Sequence, residues 1–254
     1  MLFDTHAHMN DPVFDQDREA VLYGLKDKGV EYMMNVGCCR DSSYDCVAMA
    51  EKHPFVYASV GTHPDAADEV NDSVLEEFRK LAAHPKVLAI GEIGLDYYYE
   101  TVPRERQQEA FRMQMALAKE LSMPVIVHER NAHDDGMRIV KEFKDVTGVF
   151  HCYSGSAEMA RQLVDMGWYI GFTGVLTFKN ARKAVETAQR IPLDRIVLET
   201  DCPFMAPEPF RGKRNDPGYL YRMAERLAEI RGIDLEEVCA VTTENAKRLY
   251  RLQA

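Results

Sequence analysis

Short apolar segments that end in metal-binding side chains are spread over the whole chain. Each apolar run is typical of a buried strand. Side chains so far apart in sequence can meet if their strands point their carboxyl ends at one place, and a parallel barrel does this by construction. The pattern therefore predicts one metal site built by many strands. The five segments end at His8, Glu92, His128, His151 and Asp201.

Eight apolar runs alternate with amphipathic stretches and predict an α/β fold of the (β/α)8 TIM-barrel class. Runs without polar alternation are typical of a parallel sheet that is covered on both faces. Residues 104–121 carry apolar side chains on a helical period, which predicts an outer helix. The pattern from Asp234 onward predicts an additional C-terminal helical segment. The predicted strands lie near residues 2–8, 31–37, 55–61, 87–92, 124–128, 148–152, 168–171 and 195–201.

Two helix starts carry the spacing of a capping box. Ser73 is followed three residues later by Glu76, and Asp234 by Glu237. In a capping box the side chain of the first residue accepts a hydrogen bond from the backbone N–H of the second. The side chain of the second residue accepts one from the backbone N–H of the first. We therefore expect Ser73 and Asp234 to cap helices.

Length and composition predict a single domain over residues 1–254. The chain is 46% hydrophobic and 28% charged, and single barrels of about 250 residues are common. No linker rich in Pro, Gly or Ser divides it. We expect no leader before the first strand, because residues 1–4 contain neither a basic region nor an apolar region of that kind, and no apolar run reaches the roughly 18 residues of a membrane span. We expect a cytoplasmic protein without a membrane partner, and a monomer is compatible with the sequence.

The six cysteines are predicted to be reduced. Their spacing fits neither a CxxC pair nor a small secreted scaffold. Cys152 and Cys202 directly follow His151 and Asp201, so on a strand their side chains would face away from a shared site. We expect both cysteines to pack in the barrel and not to bind metal.

The formal net charge of −10 argues against a long surface for binding duplex DNA, because phosphate contacts need many Lys and Arg side chains. The dense basic run is Arg211-Gly212-Lys213-Arg214, after the last predicted ligand. It lies where loops of a barrel bind phosphate. We favour phosphate contact by Arg211, Lys213 and Arg214 over a solvated charge cluster.

The histidines of the first strand and the glutamate of the fourth have the chemistry of metal ligands. His6 and His8 are two residues apart, so both side chains leave the same face of a strand and can hold one ion. Glu92 stands after Gly91 at a strand end, and its two carboxylate oxygens can bridge two metals. Taken alone, His6 and His8 could equally be satisfied core histidines, and Glu92 would be better explained as a carboxylate that caps a turn.

The later strands end in further ligand types. His128 and His151 follow apolar runs, where a buried imidazole without a partner would be costly. Asp201 can bind a metal and also accept a proton from attacking water. A single buried histidine is more often structural, but ligand types coincide with strand ends at all of these positions.

Four motifs of this sequence resemble the TatD family of metal-dependent hydrolases. The resemblance implies an amidohydrolase-type (β/α)8 barrel with one or two divalent ions. It implies that His6 and His8 hold the first metal, that His128 and His151 hold the second, and that Glu92 bridges them. It also implies that Asp201 binds the first metal and is the general base. The motifs are DTHAH at 4–8, GEIGLD at 91–96, HCYSG at 151–155 and ETDCP at 199–203.

The resemblance gives a further role to His63, which stands in Gly61-Thr62-His63-Pro64. It implies contact with the scissile phosphate or leaving group, and a structural histidine in a turn before proline is the alternative. Two divalent ions are the expected cofactors. Four imidazoles and two carboxylates suit Zn²⁺ or Mn²⁺ better than Mg²⁺, whereas the family is usually described as Mg²⁺-dependent, so the metal stays open.

The expected reaction is metal-assisted hydrolysis without a covalent nucleophile. Asp201 and Glu92 are the expected catalytic residues. The resemblance implies cleavage of phosphodiester bonds in DNA from a 3′ end, with a DNA strand end or other nucleic acid as partner. Ester hydrolysis on D-aminoacyl-tRNA is a second possibility. A metal-dependent nucleic-acid binding protein without turnover is a third, which the full ligand set disfavours.

Overall fold

The computed structural model describes residues 1–252. Within them, eight strands alternate with nine α-helices, and no helix is both long and apolar enough to cross a membrane. The strands are β1 Leu2–Ala7, β2 Val30–Val36, β3 Val56–Val60, β4 Val87–Asp96, β5 Val125–Arg130, β6 Gly148–Phe150, β7 Tyr169–Phe172 and β8 Ile196–Leu198. The helices are α1 Arg18–Tyr23, α2 Arg40–Lys52, α3 Asp72–Leu81, α4 Arg104–Leu121, α5 His133–Glu142, α6 Ala157–Asp165, α7 Arg182–Arg190, α8 Leu220–Arg231 and α9 Leu235–Leu249.

The strands form one sheet in the order β1 to β8. The pairs β1–β2, β3–β4, β4–β5, β5–β6 and β7–β8 are parallel. A parallel bridge joins Ala7, at the end of β1, to Cys202, which follows β8. Strands in chain order with helices between them confirm the predicted (β/α)8 class, and α9 confirms the C-terminal helical segment.

The described backbone groups into two compact units. The first comprises residues 1–35 and those from 152 onward, and the second comprises residues 36–151. In the first unit α9 packs against β1, where the ring of Tyr250 lies 5.7 Å from that of Phe3 and its hydroxyl donates to Thr5 O at 3.0 Å. The single domain over residues 1–254 and the cytoplasmic location stay predictions.

In the second unit, two buried glutamines of α4 bind the backbone at or just beyond strand ends. The side chain of Gln107 accepts from Asp96 N at 2.8 Å and donates to Asp96 O at 3.0 Å. Gln114 makes the same pair of bonds with the backbone of Thr62, at 2.8 and 3.0 Å. Buried peptide groups need such partners. These two amides therefore fix the backbone at Asp96 and beside His63.

Both helices are present, but only Asp234 stands at its predicted N-cap position. Helix α3 begins one residue earlier than Ser73, and Asn71 is its N-cap, with its side-chain oxygen accepting from Val74 N at 3.1 Å. Asn is among the preferred N-cap residues, and Asn71 has the extended backbone that the position needs. Asp234 is the N-cap residue of α9, as predicted, but its side chain forms no capping hydrogen bond in the described structure.

Several strand ends differ from the prediction, those of β4 and β8 the most. Strand β4 continues four residues beyond Glu92, to Asp96, because Gly94, Leu95 and Asp96 pair with β5. Strand β8 ends at Leu198, so Asp201 lies in the following loop, with φ +57°. Asp201 N donates to His6 O at 2.8 Å, and this bond ties the loop to β1.

Gly94→Ala is expected to destabilise the protein by roughly 2 to 6 kcal/mol. Gly94 has φ +142°, and a Cβ there would overlap the carbonyl oxygen of His128 on β5. Gly232→Ala is the control, because Gly232 also has positive φ, at +65°, but open space around it, and we expect a cost of about 1 to 2 kcal/mol. Urea unfolding of both variants measures the difference, and equal costs would contradict the overlap.

Candidate metal centre

His6, His8 and Asp201 form the first ligand cluster, in the first unit. His6 Nε2 lies 3.0 Å from His8 Nε2 and 3.8 Å from Asp201 Oδ1, and His8 Nε2 lies 3.6 Å from Asp201 Oδ1. In a tetrahedral site with bonds of about 2.1 Å, donor atoms are roughly 3.4 Å apart. The spacing of these three donor atoms therefore fits one shared cation.

A buried network lies behind the first ligand cluster. Asp4 is fully buried and accepts from Thr200 Oγ1 at 2.5 Å and from Thr200 N at 2.9 Å. Burial raises the pKa of Asp4 to about 8, although the bonds from Thr200 and from His6 N oppose the shift. Asp4 therefore links the backbone of His6 to the backbone of Thr200, the residue that precedes Asp201. Sequence reasoning missed this role, although both residues lie within the DTHAH and ETDCP motifs.

Glu92, His128 and His151 form the second ligand cluster, in the second unit. Glu92 Oε1 lies 2.8 Å from His128 Nδ1 and 3.0 Å from His151 Nε2, and the two nitrogens are 3.3 Å apart. Glu92 and His151 are buried, with 3% and 4% of their surface exposed. A carboxylate that faces two imidazole nitrogens at these distances again has the spacing of ligands around one cation.

His63 lies beside the second ligand cluster. Its Nε2 lies 3.9 Å from Glu92 Oε1, and its ring centroid is 4.3 Å from that of His128. Its Nδ1 accepts from Asp65 N at 3.2 Å, at the turn that follows. His63, Glu92 and His128 together could hold a metal ion. Contact of His63 with substrate stays a prediction.

Asp96 is a member of this region that sequence reasoning missed. Its Oδ2 lies 3.2 Å from His128 Nε2, and its Oδ1 accepts from the backbone N–H groups of Tyr98 at 2.8 Å and Tyr99 at 3.1 Å. A metal-ligating histidine typically gives its other ring nitrogen to a carboxylate. Asp96 therefore orients His128 so that Nδ1 faces Glu92. The signal was its place in the GEIGLD motif.

The pKa values in the second ligand cluster follow from burial and hydrogen bonds. Burial opposes the charge of His128, but the bonds to Asp96 and Glu92 outweigh it and raise its pKa to about 9. Burial also opposes the charge of Asp96, and the bonds from His128 and two backbone N–H groups lower its pKa to about 2. Burial, and then the neighbouring His128, lower the pKa of His63 to about 4. At neutral pH the metal-free cluster holds protonated His128 beside ionised Asp96.

Cation affinity of the metal-free protein is expected to rise with pH up to about 9. A cation must displace the proton of His128, which is present below its raised pKa of about 9. Below about pH 9 the cation affinity should therefore increase by up to about tenfold for each unit of pH. Calorimetric Mn²⁺ titrations in two buffers of different ionisation enthalpy measure the affinity and the protons released. Affinity independent of pH would contradict this expectation.

The basic run after β8 has partners within the protein. The guanidinium of Arg214 donates to both carboxylate oxygens of Asp17, at 2.8 and 2.6 Å, and lies 4.5 Å from the ring centroid of Phe14. Arg211 lies 4.2 Å over the ring of Phe178, and Lys213 is exposed. Phosphate contact by Arg211, Lys213 and Arg214 stays a prediction.

All six cysteines are free thiols. Cys202 is fully buried, with Sγ 3.9 Å from Met9 Sδ. Cys152 was expected on a strand, but it lies beyond the end of β6 and has φ +43°. Its N–H donates to the buried carboxylate of Glu199 at 2.5 Å, and its Sγ lies 3.4 Å from Thr173 Oγ1.

Imidazole and carboxylate donors gathered on or just beyond the strands of a parallel (β/α)8 sheet are typical of metal-dependent hydrolases. The chain belongs to the TatD DNase family, because the family model described as TatD related DNase matches residues 3–251. It is 46% identical to the uncharacterized metal-dependent hydrolase YabD of Bacillus subtilis (strain 168), over 99% of this chain and 100% of the relative. The protein is accordingly a metal-dependent hydrolase.

Two further relatives agree with this assignment. A protein of Erwinia tasmaniensis named 3′-5′ ssDNA/RNA exonuclease TatD is 34% identical, over 99% of this chain and 100% of its own. The crystal structure of YjjV, a TatD homolog from Escherichia coli K12, superposes with a TM-score of 0.93 at 32% identity, and the match covers 99% of this chain and 98% of that one. The predicted family and barrel fold are confirmed.

Proposed function

We propose that this hydrolase cleaves phosphodiester bonds of single-stranded nucleic acid and acts from a 3′ end of DNA. The observation that carries the proposal is the grouping of imidazole and carboxylate donors into two ligand clusters, each with the spacing of a cation site. Phosphodiester hydrolysis is a reaction that paired divalent ions serve well. The name of the Erwinia relative supports this substrate class, and the net charge of −10 disfavours a long duplex surface.

The six residues of the two ligand clusters would hold two divalent ions. Such ions supply Lewis-acid activation of water and of the phosphoryl oxygens. The donors in both clusters are imidazole nitrogens and carboxylate oxygens. This donor set fits Zn²⁺ or Mn²⁺ better than Mg²⁺, which prefers oxygen ligands. The number and identity of the ions belong to the proposal.

The chain's own residues would hold the substrate and move a proton. Asp201 would accept the proton of the attacking water at a carboxylate oxygen, as a general base. Glu92 would fix the ligand geometry through its contacts with His128 and His151, which makes it the second catalytic residue. His63, beside Glu92, would contact the scissile phosphate or the leaving oxygen. Arg211, Lys213 and Arg214 would contact phosphates of the strand.

The test is release of nucleotides from single-stranded DNA labelled at its 5′ end, with Mg²⁺ or Mn²⁺. We expect a ladder of shortened labelled strands, since cleavage proceeds from the 3′ end, and no ladder with Asp201→Asn. A blocked 3′ end should stop the reaction. No shortening beyond that of Asp201→Asn would refute the proposal. Release of D-tyrosine from D-tyrosyl-tRNA, with the nucleic acid intact, would assign ester hydrolysis in its place.

A further inference from the structure

Two neighbouring exposed tyrosines after β4 and a half-buried arginine at the end of β5 form one surface. Tyr98 and Tyr99 have 57% and 60% of their surface exposed, and their ring centroids are 4.9 Å apart at 88°. The guanidinium of Arg130 lies 3.9 Å from the centroid of Tyr98 and 4.9 Å from that of Tyr99. We call these three residues the tyrosine platform.

The tyrosine platform is joined to the second ligand cluster by one side chain. Asp96 binds the backbone N–H groups of Tyr98 and Tyr99 through Oδ1 and contacts His128 through Oδ2. Arg130 is the last residue of β5 and pairs in register with Asp96 on β4. The platform therefore stands at the carboxyl ends of two adjacent strands, the end at which barrel enzymes hold their substrates.

The groups of the platform are available to a ligand. Among the residues that the structure describes, Arg130 forms no ion pair, and neither phenol of Tyr98 and Tyr99 forms a hydrogen bond. Other arginines differ, as Arg104 pairs with Glu100 and Arg112 with Glu142. Tyrosine rings contribute strongly to interfaces because each can bury a large apolar area against a partner. A flat aromatic ligand with a negative charge fits this surface best.

We infer that the tyrosine platform stacks an unpaired nucleobase of the substrate strand, with Arg130 facing a neighbouring phosphate. This inference rests on the proposed function and adds a base-binding site beside His128. Aromatic rings accept any base because every base has a π-face. Bases within a duplex are already stacked and paired, so the platform selects single strands. Tyr98, Tyr99 and Arg130 would act as binding residues and not as catalytic ones.

The test measures binding without turnover. Fluorescein-labelled single-stranded DNA of about ten nucleotides is titrated in EDTA, and its anisotropy gives Kd. We expect the double variant Tyr98→Ala/Tyr99→Ala to bind roughly 5- to 150-fold more weakly, and Tyr98→Phe/Tyr99→Phe to bind like wild type because phenylalanine keeps the ring. Abasic substitution of one nucleotide should weaken wild type and leave the alanine variant unchanged.

Arg130→Gln tests the phosphate contact separately. Loss of one phosphate contact should reduce the slope of log Kd against log salt concentration by roughly 0.7 for a single strand. Tyr23→Ala is the matched control, because Tyr23 is an exposed tyrosine on α1 with 71% of its surface exposed, and its Kd should equal that of wild type. Circular dichroism melting of every variant checks the fold.

The outcomes separate this inference from the proposed function. Equal Kd values for wild type and the alanine variant overturn the inference, whether or not DNA is cleaved. A Phe variant as weak as the Ala variant also overturns it, because the hydroxyl groups would then be the contact. If wild type cleaves no nucleic acid but loses affinity on abasic substitution, the proposed reaction fails and the base-binding site stands.

Discussion

Asp201→Asn is expected to lower kcat for cleavage of single-stranded DNA by roughly 10²- to 10⁴-fold, the range of general acid–base catalysis. The substitution removes the negative charge and the proton acceptor but keeps the shape of the side chain. Asn is also among the residues most often found at positive φ, and Asp201 has φ +57°. The bond from its backbone N–H to His6 O is unaffected. The loss should therefore appear in kcat, with little change in the free energy of unfolding.

The matched control for this variant is Asp194→Asn. Asp194 is exposed and stands just before β8, at the opposite end of the strand from Asp201. We expect its kcat to equal that of wild type, because barrel chemistry is confined to the carboxyl ends of the strands. Turnover rates measured at saturating DNA and Mn²⁺ give kcat without a contribution from binding. An Asp201→Asn variant with full kcat would remove Asp201 from the proposed mechanism.

Glu92→Gln is expected to reduce both metal content and kcat. Glu92 Oε1 contacts His128 and His151 at 2.8 and 3.0 Å, and an amide there lacks the charge that attracts a cation. Loss of a group that merely orients a ligand costs about 10- to 100-fold in metal affinity or activity. Loss of a predicted ligand should cost at least about 100-fold. Elemental analysis of the purified protein and kcat at saturating Mn²⁺ measure the two effects.

Two controls accompany the Glu92→Gln prediction. Glu105→Gln changes an exposed glutamate in the first turn of α4, and we expect wild-type metal content and kcat. Removal of metal from wild type with a chelator should abolish hydrolysis, and added Mn²⁺ should restore it. Wild-type metal content and kcat in Glu92→Gln would show that Glu92 is not a ligand.

Much of the fold could be predicted from the sequence because its signals are local. Apolar runs located all eight strands, and helical periodicity placed α4 at Arg104–Leu121, as observed. The ends of β4 and β8 were less well predicted. Strand β4 extends to Asp96 because β5 offers pairing partners there, and the sequence of β4 does not contain that information. The predicted cap of α3 was wrong because two sites only two residues apart, Asn71 and Ser73, could both form it.

Candidate ligands could be named from residue type and position at strand ends, but their hydrogen-bond partners could not. Asp4 and Thr200 are 196 positions apart in sequence, and only the packing of β1 beside β8 brings them together. In the sequence Asp96 cannot be told apart from other acidic residues. The register of β4 with β5 places it opposite Arg130 and close to His128.

The sequence by itself determined the alternation of strands and helices, the family and the six predicted ligands. These follow from hydrophobic periodicity and from residue type, which depend only on residues that are close together in sequence. Only the tertiary structure decided the distances within each ligand cluster, the place of His63 and Asp96 beside His128, and the exposure of the tyrosine platform. Those depend on strand register and side-chain packing, which join residues that are distant along the chain.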